Sequence, residues 1–333
     1  MSTIMDKLKL LSLAPELIKK RSFAIYALTN MCNARCEHCS IWATKEKTFP
    51  ALKDAEFAID QLNKIGVFGL MLGGGEPLLH PDIYEIIKYA KSKKMHVSIV
   101  TNGKALNEEV IKKLKISGIN SVGISIDHYD ANIMNKIRGI PNLLEHTIEN
   151  LKILNKYQIK TVSSTAITRH NYMEIEKILS FIFEIGFKEA TFQLPTKSTK
   201  SSYEIGSDSK ILHFTNDELI PIAEELIKLK KKYRIFNSYE GLSEVIRFLK
   251  GEPARFFCRA GYKFFYIDWN NNIWRCQMSD ECYGNINNLK SLKFSPKKCD
   301  KCRKIGERES SVYYNGLKSL IPISRAILNE LKG

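Results

Sequence analysis

The stretch TNMCNARCEHCSIW, residues 29–42, places Cys32, Cys36 and Cys39 within eight residues on a polar, loop-like segment. Thiolates this close together can wrap one iron–sulfur cluster, because cluster iron needs soft, deprotonated ligands. Three ligands leave one iron without a protein ligand, open to a small molecule that binds through its amino and carboxylate groups. Zinc is the rival metal. Structural zinc takes four protein ligands, however, and the nearby fourth donor, His38, lies between Cys36 and Cys39 and is poorly placed to share their metal. Core cysteines do not usually fall as three on a polar loop. The pattern therefore points to a redox enzyme.

About thirty residues on, GLMLGGGEPLLHPDI (residues 69–83) combines a glycine triplet, which permits close backbone approach, with a carboxylate suited to an ammonium group. Further along, SVGISID (residues 121–127) reads as a buried strand with a polar end. With Cys-x3-Cys-x2-Cys, these runs resemble the radical S-adenosylmethionine (radical SAM) superfamily. The resemblance implies that Cys32, Cys36 and Cys39 hold a 4Fe-4S cluster. It also implies that Gly74, Gly75 and Glu76 hold the methionine amino group of SAM and that Ser125 and Asp127 match the ribose-contacting positions. His38 stands where the family usually has an aromatic residue packed on adenine, and imidazole can still stack. Arg138, in NKIRG, and Asn171, in TRHN, are candidates for contacting SAM or substrate by their position at strand ends. Each could equally be a loop residue capping its own helix.

Apolar runs alternate with helical patterns from residue 22 onward. The spacing predicts strands over 23–28, 66–72, 96–100, 121–126, 161–167 and 190–194, and helices over 53–64, 82–91, 107–117, 143–157 and 172–184. Strict alternation implies parallel strands with crossover helices. The units fit the open, TIM-like partial (β/α)6 barrel that the resemblance implies, an α/β fold. The motifs all fall at strand carboxyl ends, the active face of parallel α/β folds. The expected organisation is an amino-terminal helical extension (1–21), the barrel core (22–235), a small cysteine-rich β-hairpin and helix domain (236–313), and a carboxy-terminal helix (314–333). Within it, residues 8–20 read as a helix packed outside the barrel, and the serine-rich segment 197–209 as a lid or substrate-binding element. Two further helices, over 216–232 and 239–250, lead to the second cysteine region.

There, KFFYIDWNNNIWR (residues 263–275) looks like a β-hairpin that brings Cys258 and Cys276 together, and Cys299 and Cys302 form a Cys-x2-Cys clip. The region is similar to the twitch form of the SPASM domain of radical SAM enzymes, so by resemblance Cys258, Cys276, Cys299 and Cys302 hold a second, auxiliary 4Fe-4S cluster. The same thiolates would also suit a structural zinc. Asn271 replaces an expected glycine, and asparagine also tolerates left-handed backbone angles. Cys282 is left over, as an inert core thiol, a replacement ligand, or a hydrogen-atom donor near the barrel mouth.

Net charge is +15, from 51 basic and 36 acidic residues. This favours anionic partners in general, among them an acidic electron donor of flavodoxin or ferredoxin type. The lysines spread over helix faces without interleaved stacking aromatics, so nucleic-acid binding is not expected. With no signal peptide and no transmembrane segment, the expected location is cytoplasmic. The resemblance implies reductive cleavage of SAM to a 5′-deoxyadenosyl radical, which abstracts hydrogen from a small-molecule or peptide substrate. Alternatives are a ribosomal peptide maturase that crosslinks or epimerises, and a non-catalytic zinc-binding interaction protein. The short amino terminus leaves no room for a leader-peptide recognition domain, so a peptide substrate would need a separate recognition protein.

Overall fold

The computed structural model describes residues 23–196, 209–292, 294, 299 and 305–312. The predicted amino-terminal extension, nearly all of the 197–209 segment, Cys302 and the carboxy-terminal helix lie outside the described residues.

The predicted strands and helices form with small shifts at their ends. Strands β1 (Phe23–Thr29), β2 (Gly69–Gly74), β3 (His96–Thr101), β4 (Ser121–Ser125), β5 (Lys160–Ala166) and β6 (Glu189–Gln193) lie side by side in chain order, each parallel to the next. Helices α1 (Leu52–Lys64), α2 (Ile83–Ser92) and α3 (Glu108–Ile116) make the first crossovers. Their burial shows why these segments are helical: in α1, Ala55, Ala58, Ile59 and Leu62 recur at helical spacing and face the sheet. The strands are apolar on both faces where helices cover one side and the barrel interior the other, as Ala24, Tyr26, Ala27 and Leu28 of β1 are.

Between β4 and α5 (Leu143–Lys156) lies a helix that the periodicity did not predict, α4 (Ala131–Arg138). It is defined by its ends. The Asp130 side chain caps the amides of Asn132 and Ile133, and Gly139 ends the helix at a φ of 62°. Arg138 is thus the last residue of a helix and not a loop residue. Helix α6 (Ile175–Glu184) leads to β6, and α7 (Asn216–Leu229) and α8 (Tyr239–Leu249) then carry the chain to β7 (Phe264–Ile267).

The cysteine-rich hairpin forms, and it joins the barrel's own sheet. β7 pairs in parallel with β1, on the side away from β2, and antiparallel β8 (Asn272–Trp274) and β9 (Cys282–Asn285) extend it outward. Asn271 takes the left-handed conformation its turn requires, at φ 61°. The sheet order is β6-β5-β4-β3-β2-β1-β7-β8-β9, so β1, from which the first cysteine loop departs, is central. A last described helix, α9 (Ile305–Val312), packs on α8. Among the described residues, no helix is long and apolar enough to cross a membrane.

Candidate active site

The cysteine loop leaves the carboxyl end of β1 and is held from several sides by neighbouring strand ends. The end of β2 passes directly under its first residues: the Gly75 amide donates to the Thr29 carbonyl and the Glu76 amide to the Met31 carbonyl, each at 2.7 Å. Only glycine can make this crossing. A Cβ on Gly75 would sit 2.0 Å from the Met31 oxygen, and one on Gly74, at φ 115°, 2.3 Å from the Thr29 oxygen. The close approach predicted from the glycine triplet is thus made to the cysteine loop's own backbone.

Glu76 is fully buried. Its carboxylate accepts from the Thr101 hydroxyl at 2.7 Å, the Asn102 amide at 2.8 Å and the Leu78 amide at 3.1 Å. Burial pushes the carboxyl up to about 7 despite these donors. Both oxygens of Glu76, expected to face the SAM ammonium, accept from the ends of β2 and β3. Among these donors is Asn102, a residue the sequence reading did not single out. The Asn102 side-chain amide donates to Asn33 Oδ1 at 2.7 Å and lies 4.0 Å from Cys32 Sγ.

The end of β4 supplies the other wall. Asp127, predicted to face a ribose, is fully buried and turned inward. One oxygen accepts from the Ala166 amide at 2.9 Å, and the other is 2.6 Å from Arg138 Nε. Burial alone would raise the Asp127 carboxyl, but the Arg138 charge and then the nearby His38 hold it below the usual carboxylate range. Arg138 Nη1 lies 3.9 Å from Cys36 Sγ. Asp127 and Arg138, both expected to contact SAM, thus form a mutual ion pair that faces a cysteine. Asn171 is likewise taken up by backbone. Its Oδ1 accepts from the Thr168 amide at 2.8 Å, and its Nδ2 donates to the Asp127 and Ala166 carbonyls at 2.9 and 2.8 Å. Ser125 closes β4 as a buried strand-end residue. The His38 Nδ1 is buried and has no hydrogen-bond partner. Burial, and then the Arg138 charge, push its imidazole down to about 4, so the ring is neutral at ordinary pH.

Two more contacts fix the loop. The Arg35 amide donates to the Arg138 carbonyl at 3.1 Å and the Glu37 amide to the Ile137 carbonyl at 2.9 Å, docking the loop on the carboxyl end of α4. From the end of β5, His170 Nε2 lies 3.0 Å from Glu37 Oε2. Ends of β2, β3, β4 and β5 thus converge on one cysteine loop.

The donor set on that loop suits a soft metal cluster. The Cys39 amide donates to the Cys36 carbonyl at 3.2 Å in a tight turn. Burial raises all three thiols, Cys39 to about 12, and Cys39 also feels the charges of Cys36 and Cys32. Bare thiolates are costly there, and a bound cationic cluster would offset that cost.

In the second cysteine region, Cys276 and Cys299 pack against a buried patch of Cys258, Ala260 and Phe264, and the Cys258 amide donates to the Cys299 carbonyl at 3.0 Å. Cys302 lies outside the described residues. Cys282 is exposed on the outermost strand, β9. It is in register with Trp274, Tyr266 and, through them, Ile25, well below the strand-end mouth. Its exposure departs from the core-thiol reading.

Comparison with known proteins agrees with this geometry. Residues 26–182 match the family model described as Radical SAM superfamily. An AdoMet-dependent heme synthase of Methanosarcina barkeri is 28% identical over 275 residues, covering 78% of this chain and 78% of that protein. The antilisterial bacteriocin subtilosin biosynthesis protein AlbA of Bacillus subtilis is 24% identical over 258 residues, covering 77% of this chain and 54% of that protein. Among solved structures, Streptococcus suis SuiB bound to S-adenosylmethionine superposes with a TM-score of 0.60 at 16% identity, covering 94% of this chain and 70% of that one, a likeness of fold. The parallel sheet, the cysteine loop seated at its strand ends and the family match lead to one conclusion: residues 26–182 of this chain carry a radical SAM domain.

Proposed function

We propose that this enzyme holds a 4Fe-4S cluster on Cys32, Cys36 and Cys39, binds SAM beside it, and removes a hydrogen atom from a small-molecule or peptide substrate. When bound, the cluster and SAM supply a low-potential electron and a 5′-deoxyadenosyl radical, chemistry that no side chain provides. The observation that carries this reading is the convergence of the β2 to β5 ends on the cysteine loop.

The chain's own residues have distinct tasks in this scheme. Gly74 and Gly75 let β2 pass under the loop, and Glu76 and Asn102 steady its Cys32 side. Asp127, Arg138 and the end of α4 steady its Cys36 side. His38, neutral and with an unpartnered nitrogen, is the side chain best suited to meet adenine. The buried walls exclude water from a reactive radical.

We assign Cys258, Cys276, Cys299 and Cys302 to an auxiliary cluster that assists substrate oxidation or binding, and a flavodoxin- or ferredoxin-type protein as electron donor in the cytoplasm. The substrate class stays broad because the relatives named above serve heme and bacteriocin biosynthesis. Anaerobic reconstitution with iron and sulfide, followed by dithionite and SAM, should release 5′-deoxyadenosine, and Cys36→Ala should abolish its release. A fully loaded protein that leaves SAM intact would overturn the proposal.

A further inference from the structure

We propose that the buried Asp127–Arg138 ion pair sets the reduction potential of the cluster on the cysteine loop, with Arg138 acting through the Cys36 sulfur as a positioning residue. This inference rests on the cluster assignment made above and assigns these residues a task other than binding SAM.

The geometry has three parts. Arg138 is buried, and its Nη1 lies 3.9 Å from Cys36 Sγ while its Nε is held 2.6 Å from Asp127 Oδ2. Asp127 is itself fixed, because its second carboxylate oxygen accepts from the Ala166 amide at 2.9 Å on β5. The backbone permits no drift: the Ile137 and Arg138 carbonyls accept from the Glu37 and Arg35 amides, and a Cβ on Gly139 would meet the Arg35 oxygen at 2.9 Å. Arg138 is therefore clamped at both ends, with one edge of its guanidinium toward a cluster ligand.

Hydrogen bonds to cluster sulfur, local charge and burial are the levers by which a protein moves a cluster's potential. Reduction adds negative charge. A guanidinium beside Cys36 favours the reduced state, and the Asp127 carboxylate partly cancels that effect. The carbonyl end of α4 also points at the loop and carries partial negative charge, which Arg138 offsets. The two partners should therefore act with opposite signs. Removing the Arg138 charge should make reduction harder, and neutralising Asp127 while Arg138 remains should make it easier. A residue pair that served only to hold the fold would not show such opposed shifts.

The test compares the reconstituted parent with Arg138→Gln, Arg138→Lys and Asp127→Asn. Iron and sulfide contents are measured first, and each cluster is then titrated by EPR-monitored redox potentiometry without SAM. Arg138→Gln should lower the reduced-to-oxidised ratio at fixed solution potential by about tenfold, a shift of about 59 mV for one electron. Arg138→Lys should stay near the parent, and Asp127→Asn should shift the other way. If Arg138→Gln loses the cluster, the comparison of Arg138→Lys and Asp127→Asn with the parent decides. Loaded variants whose midpoints match the parent, or move in one common direction, overturn this inference and leave the cluster assignment standing. A parent that takes up no cluster overturns that assignment and this inference with it.

Discussion

Replacing Glu76 by glutamine should change stability by an amount whose sign depends on pH. In the parent, Glu76 accepts from the Leu78 and Asn102 amides through different oxygens, and from the Thr101 hydroxyl. Glutamine has one oxygen, so whichever way its amide turns, one buried backbone N–H faces an NH2 group. An unsatisfied buried donor costs about 1–3 kcal/mol. The opposing effect is the charge. Burial raises the Glu76 carboxyl to about 7, above the 4.5 of the unfolded chain. The folded state therefore binds the proton more tightly, and stability from this group is fullest below pH 4.5 and falls as pH rises toward 7. The shift corresponds to about 3 kcal/mol across that interval. Glutamine abolishes this loss. Urea denaturation of the metal-free proteins should thus find Glu76→Gln less stable than the parent by about 1–3 kcal/mol at pH 4.5, with the gap closed or reversed at pH 8. Glu309, which burial also raises to about 7, titrates equally in both proteins and cancels from the comparison. A difference that stays constant from pH 4.5 to pH 8 would falsify the reasoning, since it would mean that Glu76 ionises alike in the folded and unfolded chain.

Three other outcomes follow from the same contacts. Gly75→Ala puts a methyl 2.0 Å from the Met31 carbonyl, so the β2 crossing must open. A loss of at least about 3 kcal/mol, with reduced iron uptake, should appear in thermal unfolding and iron assays. Gly139→Ala combines a left-handed φ of 62° with a contact of 2.9 Å to the Arg35 carbonyl. It should cost about 1–2 kcal/mol or more, measurable by denaturant unfolding. Cys258→Ala should reduce iron from about eight to about four per chain if the second thiol set holds its own 4Fe-4S cluster, while Cys32→Ala should spare that second half. An unchanged iron count in Cys258→Ala would remove the auxiliary cluster from the scheme.

Much of the barrel was readable from local pattern, for a physical reason. A strand covered on both faces needs an unbroken apolar run, and a helix against a sheet needs apolar residues at i, i+3, i+4 and i+7, as Ala55, Ala58, Ile59 and Leu62 show. Helix α4 escaped because it is short, and its signals were the terminal Asp130 cap and Gly139 in place of a long apolar face. The hairpin was legible from its aromatic arms and asparagine turn, but its parallel pairing with β1 was not. Nothing in residues 263–275 names the strand they join.

The candidate site divides along the same line. Cysteine spacing, the glycine triplet and the polar strand ends are local facts, and they determined the class of chemistry and the family. Which polar side chains remain open to a cofactor is a matter of pairing between residues far apart in the chain. Glu76 accepts from Thr101 and Asn102, Asp127 is ion-paired with Arg138 and accepts from Ala166, and Asn171 donates to the carbonyls beside it. Tertiary structure alone decides this, because a buried polar group must find partners wherever the fold brings them. Cys282 makes the same point: its spacing alone left its surroundings open, and the strand register of β7, β8 and β9 puts it exposed on the outermost strand.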